Sequence, residues 1–240
     1  MIGTILNVAG ILAGGGIGLI RKRSLSRPQE AYFKVALGAF TVFYGLRLTW
    51  LSLNGSWLLI LKQVVIAIAA LILGRLTGRA LRLQRMSNHL GQAAREHIVA
   101  ARPDDPHRLN AGFKTCAAVF CAAPLGFLGA IQDGLSAYAY PLAMKAVMDG
   151  LATMGFVGVF GWGVMLSAIP VLALEGTITL ACVRFLEPFL THHNLLDSVN
   201  AAGGLLVFSV ALVILEVKRI QLADYLPSLV MAPLLTWLWR

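Results

Sequence analysis

Long apolar stretches, separated by short polar or basic segments, make up most of the chain. Several run for about 18–22 residues, and a helix of that length crosses a hydrocarbon core of about 30 Å. The alternating segments of about ten residues that a membrane β-barrel would show are absent. The pattern predicts an all-α, polytopic transmembrane helix bundle of about eight spans (7–8), at residues 3–20, 30–50, 57–74, 112–130, 140–160, 162–183, 198–217 and 222–239.

The fourth and fifth predicted spans contain residues that interrupt helices. Proline removes a backbone donor, and glycine tolerates unwound backbone. Irregular backbone at membrane depth is stable where it is buried in protein or lines a cavity. We therefore expect broken or re-entrant helices around these two spans, at Pro124, Gly126, Gly129, Gly134, Pro141, Gly150, Gly155 and Gly158.

The later part of the chain resembles the first part. A shift of 160 residues brings 3–20 onto 163–180 with five identities, and a shift of 165 brings AxGxxxVF at 36–43 onto the same pattern at 201–208. Spans 1–3 would thus repeat as spans 6–8 in the opposite direction across the membrane. Inverted repeats are typical of secondary transporters, which bind substrate near the midplane at the repeat interface. A chance similarity of glycine-rich helices is the alternative.

The composition agrees with a membrane protein. Hydrophobic residues make up 58% of the 240 residues and charged residues 13%, with a mean hydropathy of +0.76. Soluble domains have about 25% charged residues. We therefore predict a single integral membrane domain over 1–240. No basic region precedes the first apolar run and no cleavage site follows it, so that run is expected to be a retained span.

The basic residues predict the orientation, because loops rich in Lys and Arg stay in the cytoplasm. An even number of spans then leaves both termini outside. The net charge of +9 is better explained by orientation and anionic lipid than by nucleic acid. The basic residues that crowd the first and third loops and follow span seven are Arg21, Lys22, Arg23, Arg27, Lys34, Arg75, Arg79, Arg82, Arg85, Arg95, Arg102, Arg108, Lys218 and Arg219.

Residues 75–108 form a basic polar segment within the membrane domain. Leu76, Leu83 and Leu90 recur every seven residues, with Arg on the other faces. This pattern favours a cytoplasmic amphipathic helix over 75–101, followed by a linker. The helix would either lie on the inner leaflet or pack as a linker helix.

Three ionisable residues, Lys145, Asp149 and Glu175, fall inside predicted spans. Charge at membrane depth costs about 2.5–3.5 kcal/mol per group on insertion scales, so it marks a cavity, a partner or a substrate. Lys145 and Asp149 share a helix face and can pair. Glu175 follows Pro170, which frees a carbonyl and kinks the helix.

The predicted substrate- or ion-binding centre comprises six residues: Asn7, Gln132, Asp133, Lys145, Asp149 and Glu175. Asn7 and its repeat counterpart Ser167 place one small polar residue at the same depth in both copies. Gln132 and Asp133 belong to AIQDGL, a tract similar to AVMDGL around Asp149. A structural interpretation stays open, with Lys145 pairing with Asp149 or Glu175 to fasten helices and Asp133 in an exposed loop.

Patterns that would indicate an enzyme are lacking. No nucleophile has a base at a recognisable spacing, and no phosphate-binding loop occurs. Cys116, Cys121 and Cys182 fit neither metal spacing nor a disulfide framework and are expected to be packing residues. We therefore predict no enzymatic activity, no metal and no cofactor.

Several segments resemble the prokaryotic membrane family known as domain of unknown function 554, which includes YdfK- and YqgA-like proteins. They are GTILNVAGILAGGGIGL at 3–19, LGAIQDGL at 128–135, KAVMDGLATMGF at 145–156, LSAIPVLALEGTITLA at 166–181 and the stretch 201–235. The resemblance implies a bacterial inner-membrane protein but no established activity. In the family pattern the position of Glu175 is usually glutamine, which implies a polar side chain there rather than a required carboxylate.

Two functional hypotheses follow. The first is a small secondary transporter or channel-like permease for a small solute or ion. In it, Asp149 is the coupling or ion-binding carboxylate and Lys145 its counter-ion or an anchor for an anionic solute. The second is a structural or regulatory membrane protein acting through the basic 75–101 segment on lipids or a partner. Expected partners are membrane lipids, the unidentified solute or ion and, through the glycine-rich spans, a second copy of the chain, but no nucleic acid.

Overall fold

The computed structural model of the chain describes residues 1–21, 26–100 and 106–239. Every regular element in these ranges is a helix, which confirms the all-α class. The α-helices in the described part are α1 Ile2–Arg21, α2 Arg27–Leu51, α3 Trp57–Ala80, α4 Leu83–Ala100, α5 Arg108–Ala122, α6 Pro124–Ser136, α7 Tyr140–Phe160, α8 Ala168–Ala181, α9 Glu187–His192, α10 Leu196–Ile214, α11 Leu222–Tyr225 and α12 Ser228–Leu238. A 3-10 helix, Gly161–Ser167, joins α7 to α8, and a π-helical turn, Cys182–Leu186, joins α8 to α9.

By length and composition, four helical segments of the described chain are able to cross a membrane: Ile2–Arg21, Trp57–Ala80, Tyr140–His192 and Leu196–Ile214. The pair α5 and α6 makes a fifth if it is counted as one span. The helix α2, which covers the predicted second span, is not among them, and the final apolar stretch is shorter. The total of eight spans stays a prediction.

The residues pack into two compact units. The first consists of Met1–Glu30 and Met86–Leu180, and the second of Ala31–Arg85 and Ala181–Arg240. All six predicted site residues belong to the first unit. The single integral domain over 1–240 stays a prediction.

In the first unit, α1 packs along α7, and both helices run in the same direction. Gly10 lies against Ala146 and Gly14 against Gly150, so contacts advance by four residues on each helix. A Cβ atom at Gly14 would overlap the carbonyl oxygen of Gly150. This is the small-xxx-small contact by which helices approach closely in membranes.

The chain reverses direction after α7. Gly161 ends this helix with φ at 73°, a left-handed conformation that favours glycine. On the other side of the reversal, Thr179 contacts Thr4 and Glu175 contacts Asn7, so α8 runs antiparallel to α1. The long apolar segment thus passes α1 in both directions, as expected if it holds two successive spans.

A sharp bend separates α5 from α6. The two helices meet at 59°. Ala123 between them has an extended conformation with ψ at 120°, and Pro124 opens α6. The residue before a proline is disfavoured in the α region, which explains the break. This agrees with the prediction of a broken or re-entrant helix around the fourth span. The break expected around the fifth span was wrong, because Tyr140–Phe160 is one continuous helix in which Pro141 lies in the first turn.

In the second unit, two antiparallel helix pairs make close contacts. α2 packs against α10, and α3 packs against α11 and α12. The contacts are Gly38 with Leu215, Gly45 with Phe208, Gly74 with Ser228 and Gly78 with Asp224. Ala70, Ala202 and Ala232 form a small core in which each side chain is fully buried. Small residues therefore set the helix spacing here as well.

The basic segment 75–101 is not one helix. α3 continues through Ala80, and a turn with Arg82 at φ 57° precedes α4. Backbone N–H groups of Gln84 and Ala223 donate to the Asp224 carboxylate and the Gln84 side chain, respectively, which ties this turn to α11. A single helix over the segment was therefore a wrong expectation, because the chain turns where these bonds form.

Both interpretations of the amphipathic segment find some support. Ala94 of α4 is buried, and Ile98 packs against the core of the first unit, as a packed linker helix would. Met86 and Leu90 are exposed, as expected of a helix on a lipid surface. Of the residues used for the orientation, Lys22, Arg23 and Arg102 lie outside the described residues.

The close contact between α1 and α7 predicts that a larger side chain on α1 destabilises the fold. Gly14→Ala forces its Cβ atom into the backbone of α7, so we expect a loss of about 1–3 kcal/mol of stability, as for overpacked cores. Thermal unfolding of the purified protein in detergent measures it as a fall in Tm.

The matched control is Gly16→Ala on the same helix. A Cβ atom at Gly16 would meet nothing within 4 Å, and alanine is the better helix former. We therefore expect an unchanged or slightly raised Tm. An equal fall in both variants would contradict the packing that we describe.

Candidate functional site

Four polar side chains from three helices meet in the first unit. Lys145 and Asp149, one turn apart on α7, form an ion pair. Lys145 Nζ also lies 3.4 Å from Glu175 Oε1 on α8. Asn7 on α1 donates from Nδ2 to both oxygens of Glu175, at 2.9 and 3.1 Å. We call Asn7, Lys145, Asp149 and Glu175 the polar centre.

The polar centre is buried. Lys145 and Glu175 are each 2% exposed, Asp149 is 7% exposed and Asn7 is inaccessible. Charges withdrawn from water in this way are tolerated only with partners and hydrogen bonds. Lys145 serves both carboxylates, so it is the group on which their burial depends.

The break between α5 and α6 borders the polar centre. Lys145 Nζ lies 5.8 Å above the ring of Phe120, near the end of α5, a favourable cation–π position. In the first turn of α6, a Cβ atom at Gly126 would lie 3.1 Å from both Glu175 Oε1 and Lys145 Cε. Glycine there lets the positive end of the α6 dipole approach the Glu175 carboxylate.

Two buried amides have unused hydrogen-bonding atoms. Asn7 Oδ1 has no donor, and neither Nε2 nor Oε1 of Gln132 has a partner among the described residues. Both side chains are inaccessible. Buried polar groups in proteins are nearly always paired, so an orphan acceptor marks a place where a water, an ion, a proton donor or a ligand fits.

Asp133 has a different place from the one predicted. It is buried and accepts a hydrogen bond from the backbone N–H of Gly3 at 3.1 Å, and it lies 3.1 Å from the Met1 amine. A carboxylate at a helix N-terminus stabilises the free N–H groups there. Asp133 is thus no exposed loop residue, and its contacts are with the start of α1 rather than with the polar centre.

The structure therefore brings four of the six predicted residues together. The Gln132 side chain makes no hydrogen bond with them among the described residues, and Asp133 caps α1. Whether any of the six binds a solute or ion stays a prediction.

Two threonines next to the polar centre were missed by the sequence analysis. Thr4 Oγ1 and Thr179 Oγ1 lie 3.3 Å apart, and Thr179 also donates to the Ala130 carbonyl at 3.2 Å. Their spacing in the sequence could have indicated that they lie near the predicted site. Thr4 is three residues before Asn7 and Thr179 four after Glu175, so each shares a helix face with a predicted residue.

Within the described ranges, no three His, Cys, Asp or Glu side chains are grouped in a way that could hold a metal ion. The polar centre has only two carboxylates, and its cation is a lysine. Its chemistry is therefore that of ion pairing and amide hydrogen bonding.

Apolar helices of membrane-crossing length, together with ion pairs buried between them, define a helical membrane protein. The chain belongs to the family described as "Protein of unknown function (DUF554)", whose sequence profile matches residues 2–237. This confirms the family resemblance.

Two relatives span nearly the whole chain. It is 28% identical over 234 residues to the "Uncharacterized membrane protein YdfK" of Bacillus subtilis (strain 168), covering 97% of this chain and 94% of the relative. It is 26% identical over 242 residues to the "Uncharacterized protein YqgA" of Escherichia coli (strain K12), covering 100% and 97%. No solved structure matches the chain.

Replacing the shared cation tests how far the site depends on it. Lys145→Met leaves two carboxylates buried without a counter-charge, and we expect a loss of about 3–5 kcal/mol of stability. Thermal unfolding in detergent measures it as a fall in Tm. The control, Lys34→Met, breaks the exposed pair with Glu216 and should change Tm little. Equal Tm values for both variants would contradict the conclusion that burial of the two carboxylates depends on Lys145.

Proposed function

We propose that the protein is a secondary transporter or channel-like permease that binds a small solute or ion at the polar centre. The observation that carries the proposal is the convergence of Lys145, Asp149, Glu175 and Asn7 in the buried space between three apolar helices. Ionisable groups at membrane depth are costly, and they recur along substrate and ion pathways.

The helix contacts support an inverted repeat of spans 1–3 as spans 6–8. In such a repeat each helix and its counterpart run in opposite directions. α1 is antiparallel to α8, α2 to α10, and α3 to α12, and each of these pairs is in contact. The first two pairs are the ones that the sequence shifts relate, and the third extends the same order. A binding site at the interface of the first pair is where inverted-repeat transporters place it.

The helix break beside the polar centre also supports binding. Discontinuous helices in transporters direct their N-termini at anionic groups, while unwound carbonyls coordinate cations. Here the first turn of α6 meets the Glu175 carboxylate at Gly126. In the proposed mechanism Asp149 is the coupling or ion-binding carboxylate. Lys145 is its counter-ion, or the anchor for an anionic solute when it leaves Asp149.

Charge displacement in proteoliposomes tests the proposal. We would apply concentration jumps of amino acids, carboxylic acids, sugars and monovalent ions to protein on a solid-supported membrane. At least one solute should give a transport current, and both Asp149→Asn and Lys145→Ala should lower it about 10–100-fold, as expected for a lost charged contact.

The control carboxylate is the exposed Asp197 at the start of α10. Asp197→Asn should leave the current unchanged. If Asp149→Asn and Lys145→Ala both transport an identified solute at the original rate, the site assignment fails.

A second candidate function rests on the exposed apolar side chains Met86 and Leu90 of the basic segment. There the protein would act on anionic lipids or a partner. It requires that replacing Arg79, Arg82 and Arg85 abolishes the phenotype of the gene while Asp149→Asn is tolerated. The opposite pattern favours transport.

We also propose a multi-pass arrangement in the bacterial inner membrane with both termini outside. In a cysteine-free background, Ser56→Cys should react with a membrane-impermeant maleimide in intact cells, because its uncharged loop lies outside. Arg219→Cys should react only after the membrane is opened. Both positions are solvent-exposed in the fold, so the reverse pattern would invert the orientation.

A homodimer through glycine-rich spans is a further proposal. Gly10 and Gly14 of α1 already lie against α7. A second copy would therefore have to use the open positions Gly16, Gly155 or Gly158, where a Cβ atom meets nothing within 4 Å.

A further inference from the structure

The polar centre has one more negative group than positive. Asp149 and Glu175 share a single cation, Lys145, and no other ion pair of either carboxylate exists among the residues that the structure describes. With all three groups ionised, the centre would hold one uncompensated negative charge. A buried charge without a partner costs several kcal/mol, so such a group is neutralised instead.

We propose that the polar centre holds one exchangeable proton on its carboxylate pair, and that this proton is the coupling ion of the transporter. Its role in coupling rests on the proposed function, whereas its presence does not. Two carboxylates that share a site cannot both ionise unless their charges are compensated.

The contacts of the two carboxylates bear on where the proton lies. Glu175 accepts from Asn7 at both oxygens and also faces Lys145. An ionised carboxylate is an acceptor only, and these contacts suit that role. Asp149 has the Lys145 ammonium as its partner and sits at the more exposed edge, at 7%. The donors single out neither carboxylate, so the pair shares the proton, and Asp149 at the more exposed edge exchanges it with water.

One proton also changes what Lys145 holds together. While Asp149 is ionised, Lys145 is bound mainly within α7 by a pair one turn apart. A proton that moves from water onto Asp149 neutralises this carboxylate, and the attraction of Lys145 turns to Glu175 on α8. The ion pair then joins two helices that run in opposite directions. When Asp149 releases the proton to water, Lys145 pairs with Asp149 again. The cycle involves only this proton.

Among the described residues, no charged side chain other than these three forms an ion pair with the polar centre. α1 contributes the neutral Asn7, and α6 contributes Gly126. α5 contributes the ring of Phe120. Asn7 Oδ1 is the unsatisfied acceptor at this position, and a proton on a neighbouring carboxylic acid brings a donor into the centre.

Infrared spectroscopy of the protein in liposomes at neutral pH tests this proton directly. The carbonyl stretch of a protonated carboxylic acid is separate from the carboxylate bands and shifts in D2O. We expect one such band in the original protein. Asp149→Asn should lose it, because Lys145 then balances Glu175. Glu175→Gln should also lose it, because Lys145 then balances Asp149 and the surplus charge no longer exists.

Controls separate the charge balance from simple burial. Asp197→Asn should keep the band, and Lys145→Met should gain a second one. Absence of the band in the original protein, or its survival in Glu175→Gln, would overturn the proposal. Loss of the band on adding Na+ at constant pH would show that sodium displaces the proton, and it would overturn the assignment of the proton as the coupling ion.

The transport assay separates this inference from the proposed function. If a pH gradient drives solute uptake in the original protein and not in Asp149→Asn, the proton is the coupling ion. If the bands behave as expected but a pH gradient drives no uptake of a solute that the protein carries, the coupling role is wrong and the transporter stands. If no solute is carried, the proposed function fails while the proton remains.

Discussion

The close contact of α1 with α7 is the constraint on which the rest of the first unit depends. Gly10 and Gly14 remove the side chains that would hold the two backbones apart. Because the helices touch, Asn7 reaches the space beside Lys145 and Asp149, and α8 can pack against α1 from the other side. A larger spacing would leave Glu175 without its amide donor, and its burial would lose part of its compensation. Close packing of the helices is therefore a condition for burying the charged groups.

The bend between α5 and α6 also helps to stabilise the buried charges. A continuous helix would present only side chains to the carboxylates, since its backbone N–H groups would all be bonded internally. The break before Pro124 places the first turn of α6, with Gly126, directly against Glu175 and Lys145. Two carboxylates and one lysine are thus met by an aromatic ring from α5 and a helix N-terminus from α6.

Sequence reasoning found what short-range geometry determines. The spacing of Lys145 and Asp149 on one helix predicts their pair, and the proline and glycines around residue 124 predict the break. It placed Asn7 and Glu175 in one centre but did not predict their hydrogen bond, because these residues are 168 positions apart and align with other partners in the repeat. Antiparallel packing of α1 and α8 brings them together, and only three-dimensional contacts reveal it. The capping of α1 by Asp133 was unforeseen for the same reason.

The proposed repeat and the polar centre differ in symmetry, and the difference explains where the chemistry lies. Under the shift of 160 residues, Asn7 corresponds to Ser167 and Glu175 to Gly15. Ser167 donates to the Val164 carbonyl of its own helix at 2.6 Å, and Gly15 makes room for Met165. The contact of α1 with the 3-10 helix Gly161–Ser167, where Gly15 meets Met165, therefore adds no charged group, whereas the contact of α1 with α8 holds the amide and the carboxylate. The repeat would make the two ends of this interface alike, but only one end contains charged side chains. At that end α7 supplies Lys145 and Asp149. The charged groups therefore lie toward one end of the paired helices, whereas a symmetric interface would place equivalent groups at both ends.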